Sequence, residues 1–196
     1  MRMVRGPLPI FPCFPASLAL AAAALLASAQ PPQTGEHVPA FTLPAVRGDS
    51  LHFSGKTPQL VLLAFLQTVP DSAPTASRRQ VALLESMDRQ YRARGVRVAI
   101  VDATASVTGK QPPHDSLINA SYDWNLDIPL LEDDAGRVAK MLGVSRAPTT
   151  ILIGADGRIV RVWDREMAPG ELAVAIETSL GSGPLDPRSA TAASPK

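Results

Sequence analysis

The stretch Gly136–Trp163, with the sequence GRVAKMLGVSRAPTTILIGADGRIVRVW, decides the fold class of this chain. Within it, Thr149–Ile153 is a brief β-branched and apolar run between a proline and a glycine, which is typical of a strand covered on both faces. Residues 155–157 (Ala-Asp-Gly) supply a turn, and Ile159–Trp163 follows as a second run with alternating side chains. We therefore predict an antiparallel hairpin of two strands.

Ala147-Pro148 forms the corner between this hairpin and a helix that ends at Leu142-Gly143. Proline has no N–H to give to a sheet, so it belongs at the first residue of a strand. A tight turn that leads directly into a sheet is also a place where cis X–Pro bonds are found. On these residues alone, an ordinary trans proline that closes a loop remains the alternative.

The run from Gly143 to Val160 (GVSRAPTTILIGADGRIV) resembles the cis-proline hairpin of thioredoxin-like proteins, specifically the TlpA/redoxin (AhpC/TSA-like) branch. The resemblance implies a cis bond before Pro148 and a proline that faces the active site. It covers nearly all of residues 36–180. It implies an α/β thioredoxin-like domain, in which helices flank a central mixed sheet.

The rest of the chain fits one globular domain of this kind. Its 196 residues are 45% hydrophobic with a net charge of +1, which argues against nucleic acid or an anionic membrane surface as the main partner. Residues 38–43 resemble the opening strand of redoxins, and 51–53 follows it as a second strand. We predict further strands at 60–66 and 96–101, a helix up to Tyr91, a loop over 103–115, and a short helix over 117–122. A short edge segment at 128–131 and a last helix from Pro169 complete the domain. Residues 181–196 are small, polar and proline-containing, which predicts a disordered tail.

The first 29 residues have the pattern of an export signal. Arg2 and Arg5 precede the apolar stretch Leu18–Leu26, and Ala27-Ser28-Ala29 forms a small-residue cleavage site. An uncleaved membrane anchor is the alternative, because Pro7 to Ala29 carries no charge. Residues 30–35 predict a polar, proline-rich linker, and we expect an exported protein that is periplasmic, extracellular or membrane-anchored.

Cys13 is the single cysteine, and it lies in the predicted leader. In the family that the chain resembles, a Cys-x-x-Cys pair or one peroxidatic cysteine stands between a buried strand and the next helix. Here that place falls on five residues without a thiol: Ala73, Pro74, Thr75, Ala76 and Ser77. Hydroxyl groups cap a helix, and we expect Thr75 or Ser77 to do so, but they cannot exchange disulfides or form a sulfenic acid. Thiol catalysis by the mature chain alone is therefore excluded.

Other chemistries find little support in the sequence. A nucleophilic Ser77 needs a neighbouring base, and His37, His52 and His114 fall on segments that we do not expect beside it. No acidic or histidine cluster has the spacing of a metal site, and no motif indicates a cofactor.

The resemblance also implies a peptide-binding groove, which does not depend on cysteine. The residues before the cis-proline, Arg146-Ala147-Pro148, would offer backbone hydrogen bonds to an extended peptide or an envelope protein. We therefore expect a non-catalytic binding or scaffold module. One alternative is a fold kept for stability alone, and another is a part in envelope redox chemistry through a partner's cysteines or a cofactor.

Overall fold

The computed structural model describes residues 31–68 and 75–181. The predicted leader and the predicted tail from residue 182 onward lie outside the described residues. No helix within the two described ranges combines the length and the apolar character needed to cross a bilayer.

Seven strands and five helices follow one another in the described part of the chain. In order they are β1 (Phe41–Leu43), β2 (Leu51–Phe53), β3 (Leu60–Leu66), α1 (Thr75–Tyr91), β4 (Val96–Asp102), α2 (Thr104–Thr108), α3 (His114–Asp123), β5 (Leu130–Leu131), α4 (Arg137–Met141), β6 (Thr149–Ile153), β7 (Ile159–Trp163) and α5 (Pro169–Gly181). Short 3₁₀ turns at Arg92–Arg94 and Asp134–Gly136 precede β4 and α4.

The central sheet has five strands in the order β5-β4-β3-β6-β7. Strands β3, β4 and β5 run parallel, whereas β6 and β7 are antiparallel to their neighbours. Strand β3 lies in the middle and all seven of its residues are buried, which explains its unbroken run of apolar side chains. The predicted mixed sheet of a thioredoxin-like α/β fold is confirmed.

Two apolar layers enclose the sheet. Alternate residues of β3 point to opposite faces, so Leu62 packs with side chains of α1, α3 and α5, while Leu63 packs with those of α4 and the β1–β2 hairpin. Each fully buried Leu or Phe of this kind contributes about 1.5–3 kcal/mol relative to an exposed one. Both strand-end regions described below are therefore built on a continuous core.

The hairpin β6–β7 has the predicted bounds, and the Ala147-Pro148 peptide bond before it is cis. Gly157 closes the tip of the hairpin with a φ of +80°. An added Cβ at this position would stand 1.7 Å from the carbonyl oxygen of Gly55, which precedes β3. Only glycine fits this position, because it tolerates positive φ and carries no Cβ.

The predicted loop over 103–115 is wrong in two places. Thr104–Thr108 forms α2, and α3 begins at His114 rather than at 117. Pro113 immediately precedes α3 with extended backbone, so this proline ends the loop without interrupting the helix. Helix α2 begins where Asp102 accepts hydrogen bonds from Thr104, a contact that the spacing of apolar residues does not indicate.

Candidate functional site

The carboxyl ends of β3 and β4 and the start of β6 form the candidate site. Leu66 pairs with Asp102 on β4, and Phe65 pairs with Thr149 on β6. Pro148, just before β6, therefore lies beside the end of β3, from which the chain continues to α1. The strand pairing thus places the predicted proline corner beside the end of β3, which precedes the predicted cysteine-free position along the chain.

The structure describes three of the five residues at the cysteine-free position. Ala73 and Pro74 lie outside the described residues, while Thr75, Ala76 and Ser77 form the first turn of α1. Ser77 is fully buried, and its Oγ has no hydrogen-bond partner. Ser77 is therefore not the helix cap that the sequence suggested. Among residues 31–68 and 75–181, no base therefore lies within hydrogen-bond reach of this hydroxyl, as a serine nucleophile would require.

Asp102 is a buried carboxylate at the end of β4, with 1% of its surface exposed. Its Oδ1 accepts hydrogen bonds from the hydroxyl groups of Thr68 (2.7 Å) and Thr104 (2.6 Å). The backbone N–H groups of the same two threonines donate to it from 3.4 and 3.3 Å. Its Oδ2 is also buried but has no partner. One oxygen of this carboxylate thus ties together the segments that follow β3 and β4, and the other is left without a donor.

Thr150 of β6 is a third residue of this kind, because it is fully buried and its Oγ1 lacks a partner. Thr150 pairs with Ala64 and Asp102 pairs with Leu66, and both of these β3 residues face the layer that contains α1. Ser77 lies in the first turn of α1 itself. The three buried polar atoms without partners therefore all belong to the layer between the sheet and α1, and we call this layer the α1 side.

The opposite side of the corner has a buried carboxylate whose two oxygens both accept hydrogen bonds. Asp133 has no exposed surface, and its Oδ1 and Oδ2 accept the N–H groups of Val138 (2.9 Å) and Ala139 (2.8 Å) at the start of α4. Burial raises the pKa of this carboxyl, against the opposing effect of its backbone hydrogen bonds. The short helix that leads to the corner is thus fixed at its amino end by a side chain.

The corner itself borders a cavity of about 260 Å³. Arg146 forms an ion pair with Asp164 at 3.2 Å across this cavity, with 67% and 62% of the two side chains exposed. The Oγ1 of Thr149 donates to the carbonyl oxygen of Arg146 at 2.9 Å, which closes the turn before β6. Among the described residues, no hydrogen bond involves the backbone of Ala147. Of the three predicted groove residues, Arg146 borders this cavity, Ala147 is half-buried and Pro148 is buried.

Side chains of α1 join its first turns to the segment after β7. Arg79 forms an ion pair with Glu166, and the Gln80 amide exchanges hydrogen bonds with the backbone of Met167. The ion pair raises the pKa of Arg79 and lowers that of Glu166. These contacts fix the start of α1 against the loop beyond the hairpin.

Sequence reasoning missed Asp102 and Asp133. For Asp102 a signal was available, since a carboxylate directly after a buried strand has threonines at 68 and 104 to bond with. Asp133 stood in an acidic run, Glu132-Asp133-Asp134, that predicts a solvated turn. No group of three or more metal-ligating side chains is present in residues 31–68 and 75–181.

A protein-family model described as the AhpC/TSA family matches residues 34–162. The chain matches none of the curated proteins with which it was compared. Among solved structures it is similar to a Chlorobium tepidum protein assigned as the thiol:disulfide interchange protein DsbE, with a TM-score of 0.63 and 22% identity over 76% of this chain and 99% of that one. A thiol-disulfide oxidoreductase from Bacteroides fragilis gives a TM-score of 0.57 and 20% identity over 71% and 98% of the two chains. StoA from Bacillus subtilis gives 0.58 and 14% over 70% and 96%.

Proposed function

This chain belongs to the AhpC/TSA family, and we propose that it is an exported member in which peptide binding has replaced thiol catalysis. It would act as a binding or scaffold module for an extended peptide or an envelope protein. Its place would be the periplasm, the cell exterior or, with an uncleaved leader, the membrane surface. The leader pattern of residues 1–29 supports export.

The observation that carries the proposal is a contrast within one site. The start of α1, where relatives carry sulfur, has Ser77 with a buried hydroxyl that makes no hydrogen bond. The corner beside it keeps a cis-proline, an unbonded Ala147 backbone and an adjoining cavity. An extended peptide needs only backbone donors, backbone acceptors and room for its side chains. The chain keeps what strand addition requires, and it lacks what disulfide exchange requires.

The charged side chain of Arg146 at the rim of the cavity supports a polar contribution to partner recognition. Arg146 is two-thirds exposed and has a single exposed carboxylate, Asp164, as its ion-pair partner. An exposed pair of this kind contributes only about 0–1 kcal/mol, so a partner's carboxylate can replace Asp164 at little cost. We therefore expect Arg146 to contribute to partner affinity more than to stability.

Capture of partners from the host envelope tests the proposal. The mature domain is used as bait beside an Arg146→Glu variant, with Arg89→Glu as a matched control, because Arg89 is an exposed arginine on α1. We expect a specific partner with the parent and with Arg89→Glu, and at least a ten-fold loss with Arg146→Glu. Equal recovery with all three baits would contradict the groove.

A reduction assay separates binding from residual redox function. We expect the mature domain to reduce insulin no faster than a boiled sample, since it holds no thiol. Turnover that appears only after envelope extract is added would indicate that a partner's cysteines or a cofactor supply the chemistry.

A further inference from the structure

A second cavity lies at the other end of the central sheet from the corner. Its volume is about 370 Å³, which is in the range of small-molecule sites, and it is bordered by Leu130 of β5, the last strand on this side. We call it the β5 cavity. The cavity beside the corner is bordered instead by Val162 of β7, the last strand on the opposite side. A ligand in the β5 cavity would therefore be independent of the groove and of the function proposed for it.

The floor of the β5 cavity is apolar and is held in place by backbone hydrogen bonds. Val46, Leu126, Ile128 and Leu130 border it, and all four side chains are buried. The Val46 N–H donates to the carbonyl oxygen of Leu130 (2.8 Å), and the Leu126 N–H donates to that of Ser121 (3.0 Å). The segment before β2, the loop after α3 and β5 thus meet in a preformed apolar surface, which is what the apolar part of a small ligand needs.

Arg47 lies at the exposed rim of this cavity, and two contacts hold its guanidinium. Its Nη2 donates to the carbonyl oxygen of Leu126 at 3.2 Å, and its Cζ lies 4.3 Å from the centre of the Tyr122 ring. Within residues 31–68 and 75–181, Arg47 forms no ion pair with a carboxylate. A guanidinium has more N–H donors than these two contacts use, and its planar fork matches a carboxylate.

The other charged residue at the rim, Asp127, acts on a different arginine. The pKa of Arg92 is raised mainly by its hydrogen bond to Asp88 and to a smaller extent by the charge of Asp127. The Asp127 N–H donates to Oε1 of Glu85 at 3.1 Å. Of the two charged residues at the rim, Arg47 is therefore the one that is placed to receive an anionic ligand.

We propose that the β5 cavity binds a small organic monocarboxylate with an aliphatic tail. The carboxylate accepts hydrogen bonds from the guanidinium of Arg47, and the tail covers Val46, Ile128 and Leu130 on the floor. Both parts of the ligand are needed. An exposed charge pair contributes little in water, and the fixed guanidinium is the group that orients an apolar tail on this floor.

Titration of the full chain with hexanoate tests the site, followed by the backbone amide NMR signals of Val46 and Leu130. Acetate keeps the charge of this probe without most of its tail, and hexanamide keeps the tail without the charge. We expect saturable shifts of both signals with hexanoate. Burial of one methylene group strengthens binding by up to about four-fold, so hexanoate should bind at least ten-fold more tightly than acetate. It should bind at least five-fold more tightly than hexanamide, which cannot form a charged pair with Arg47.

Variants of Arg47 test the role of the guanidinium. Arg47→Met removes the charge and should weaken hexanoate binding at least five-fold while leaving hexanamide binding unchanged. Arg47→Lys keeps the charge without the planar fork and should show a smaller loss. Arg89→Met is the matched control, because Arg89 is an exposed arginine of α1 that does not border the cavity, and it should bind hexanoate like the parent.

Equal affinities for hexanoate and acetate would mean that surface charge alone attracts the ligand, and equal affinities for hexanoate and hexanamide would mean apolar adsorption alone. Either result would overturn the inference, as would the absence of shifts at Val46 and Leu130. These three results come from the parent chain, so they decide the matter even if a variant unfolds. Unchanged hexanoate binding by a folded Arg47→Met would also overturn it.

Discussion

Two buried carboxylates, Asp102 and Asp133, stand on the two sides of the candidate site and differ in how completely they are bonded. Asp133 uses both oxygens to hold the start of α4, which leads to the cis-proline corner. Asp102 gathers its four hydrogen bonds on Oδ1 and leaves Oδ2 buried without a donor. Ser77 and Thr150 on the same α1 side also have hydroxyl groups without partners.

The difference separates the two sides of the candidate site by how completely their buried polar atoms are bonded. An unbonded buried polar atom costs about 1–3 kcal/mol, and native proteins contain few of them. Here the three described examples cluster on the α1 side, and one of them, Ser77, belongs to the predicted cysteine-free position. The corner and its helix have no such defect among the residues described. The helix that leads to the corner thus has a fully bonded carboxylate, while polar side chains under α1 lack partners.

The largest expected effect on stability tests how tightly the tip of the hairpin β6–β7, which follows the cis-proline corner, is packed. In Gly157→Ala the new Cβ would meet the Gly55 carbonyl oxygen, and the positive φ adds strain of about 1–2 kcal/mol. Forced backbone movement adds about 1–3 kcal/mol more. We expect urea unfolding to report a loss of about 2–5 kcal/mol.

Gly48→Ala is the matched control, because Gly48 has a φ of +85° with no atom within 4 Å of its added Cβ. It should lose only the strain of about 1–2 kcal/mol. Similar losses of unfolding free energy in the two variants would show that the hairpin tip is loosely packed and would contradict the prediction.

Asp102→Ala removes Oδ1, the oxygen on the α1 side that does accept hydrogen bonds. The buried Thr68 hydroxyl loses its hydrogen bond to Asp102, and the backbone N–H of Thr68 loses its contact with the same oxygen, so we expect a loss of about 2–4 kcal/mol. Asp102→Asn keeps an oxygen for these donors and should lose less than half as much. Equal losses would mean that the charge, rather than the hydrogen bonds to Oδ1, holds the strand ends together.

The strands of this fold were predictable from sequence, but the candidate site was predictable only in part. Buried strands such as β3 and β6 are marked by continuous apolar runs, and the Gly-Val to Ile-Val pattern marked the corner. Helix α2 was not predictable from periodicity, because it has five residues and begins at bonds from Asp102. The unbonded atoms depend on strand register, such as that between Leu66 and Asp102, which one sequence does not reveal.

A smaller effect of opposite sign is expected where a hydroxyl lacks a partner. Thr150→Val replaces the Oγ1 with a methyl group of similar size and should raise the free energy of unfolding by about 1 kcal/mol. Thr149→Val, one residue earlier, removes a hydroxyl that bonds to the Arg146 carbonyl oxygen and should lower it by about 0.5–1.5 kcal/mol. Ser77→Ala should behave like Thr150→Val. A loss of stability in both Thr150→Val and Ser77→Ala would show that these hydroxyl groups are in fact satisfied.

The pH dependence of stability gives the smallest expected effect and isolates Asp133. Burial raises its pKa above the ordinary 3.8, so the folded protein binds this proton more tightly than the unfolded chain does. The stability that this proton confers is complete below about pH 3.8 and is lost as pH rises through the folded pKa.

Other carboxylates act in the opposite direction. Hydrogen bonds from Arg79 and Arg94 lower the pKa values of Glu166 and Glu177, so the stability that these two confer is lost toward acid pH. The parent must therefore be compared with Asp133→Asn, in which only the one titration is absent. From urea unfolding between pH 3.5 and 7, we expect the stability of the parent minus that of Asp133→Asn to fall as pH rises. A difference that instead rises with pH would mean that the two N–H groups of α4 stabilise the charge more than burial opposes it.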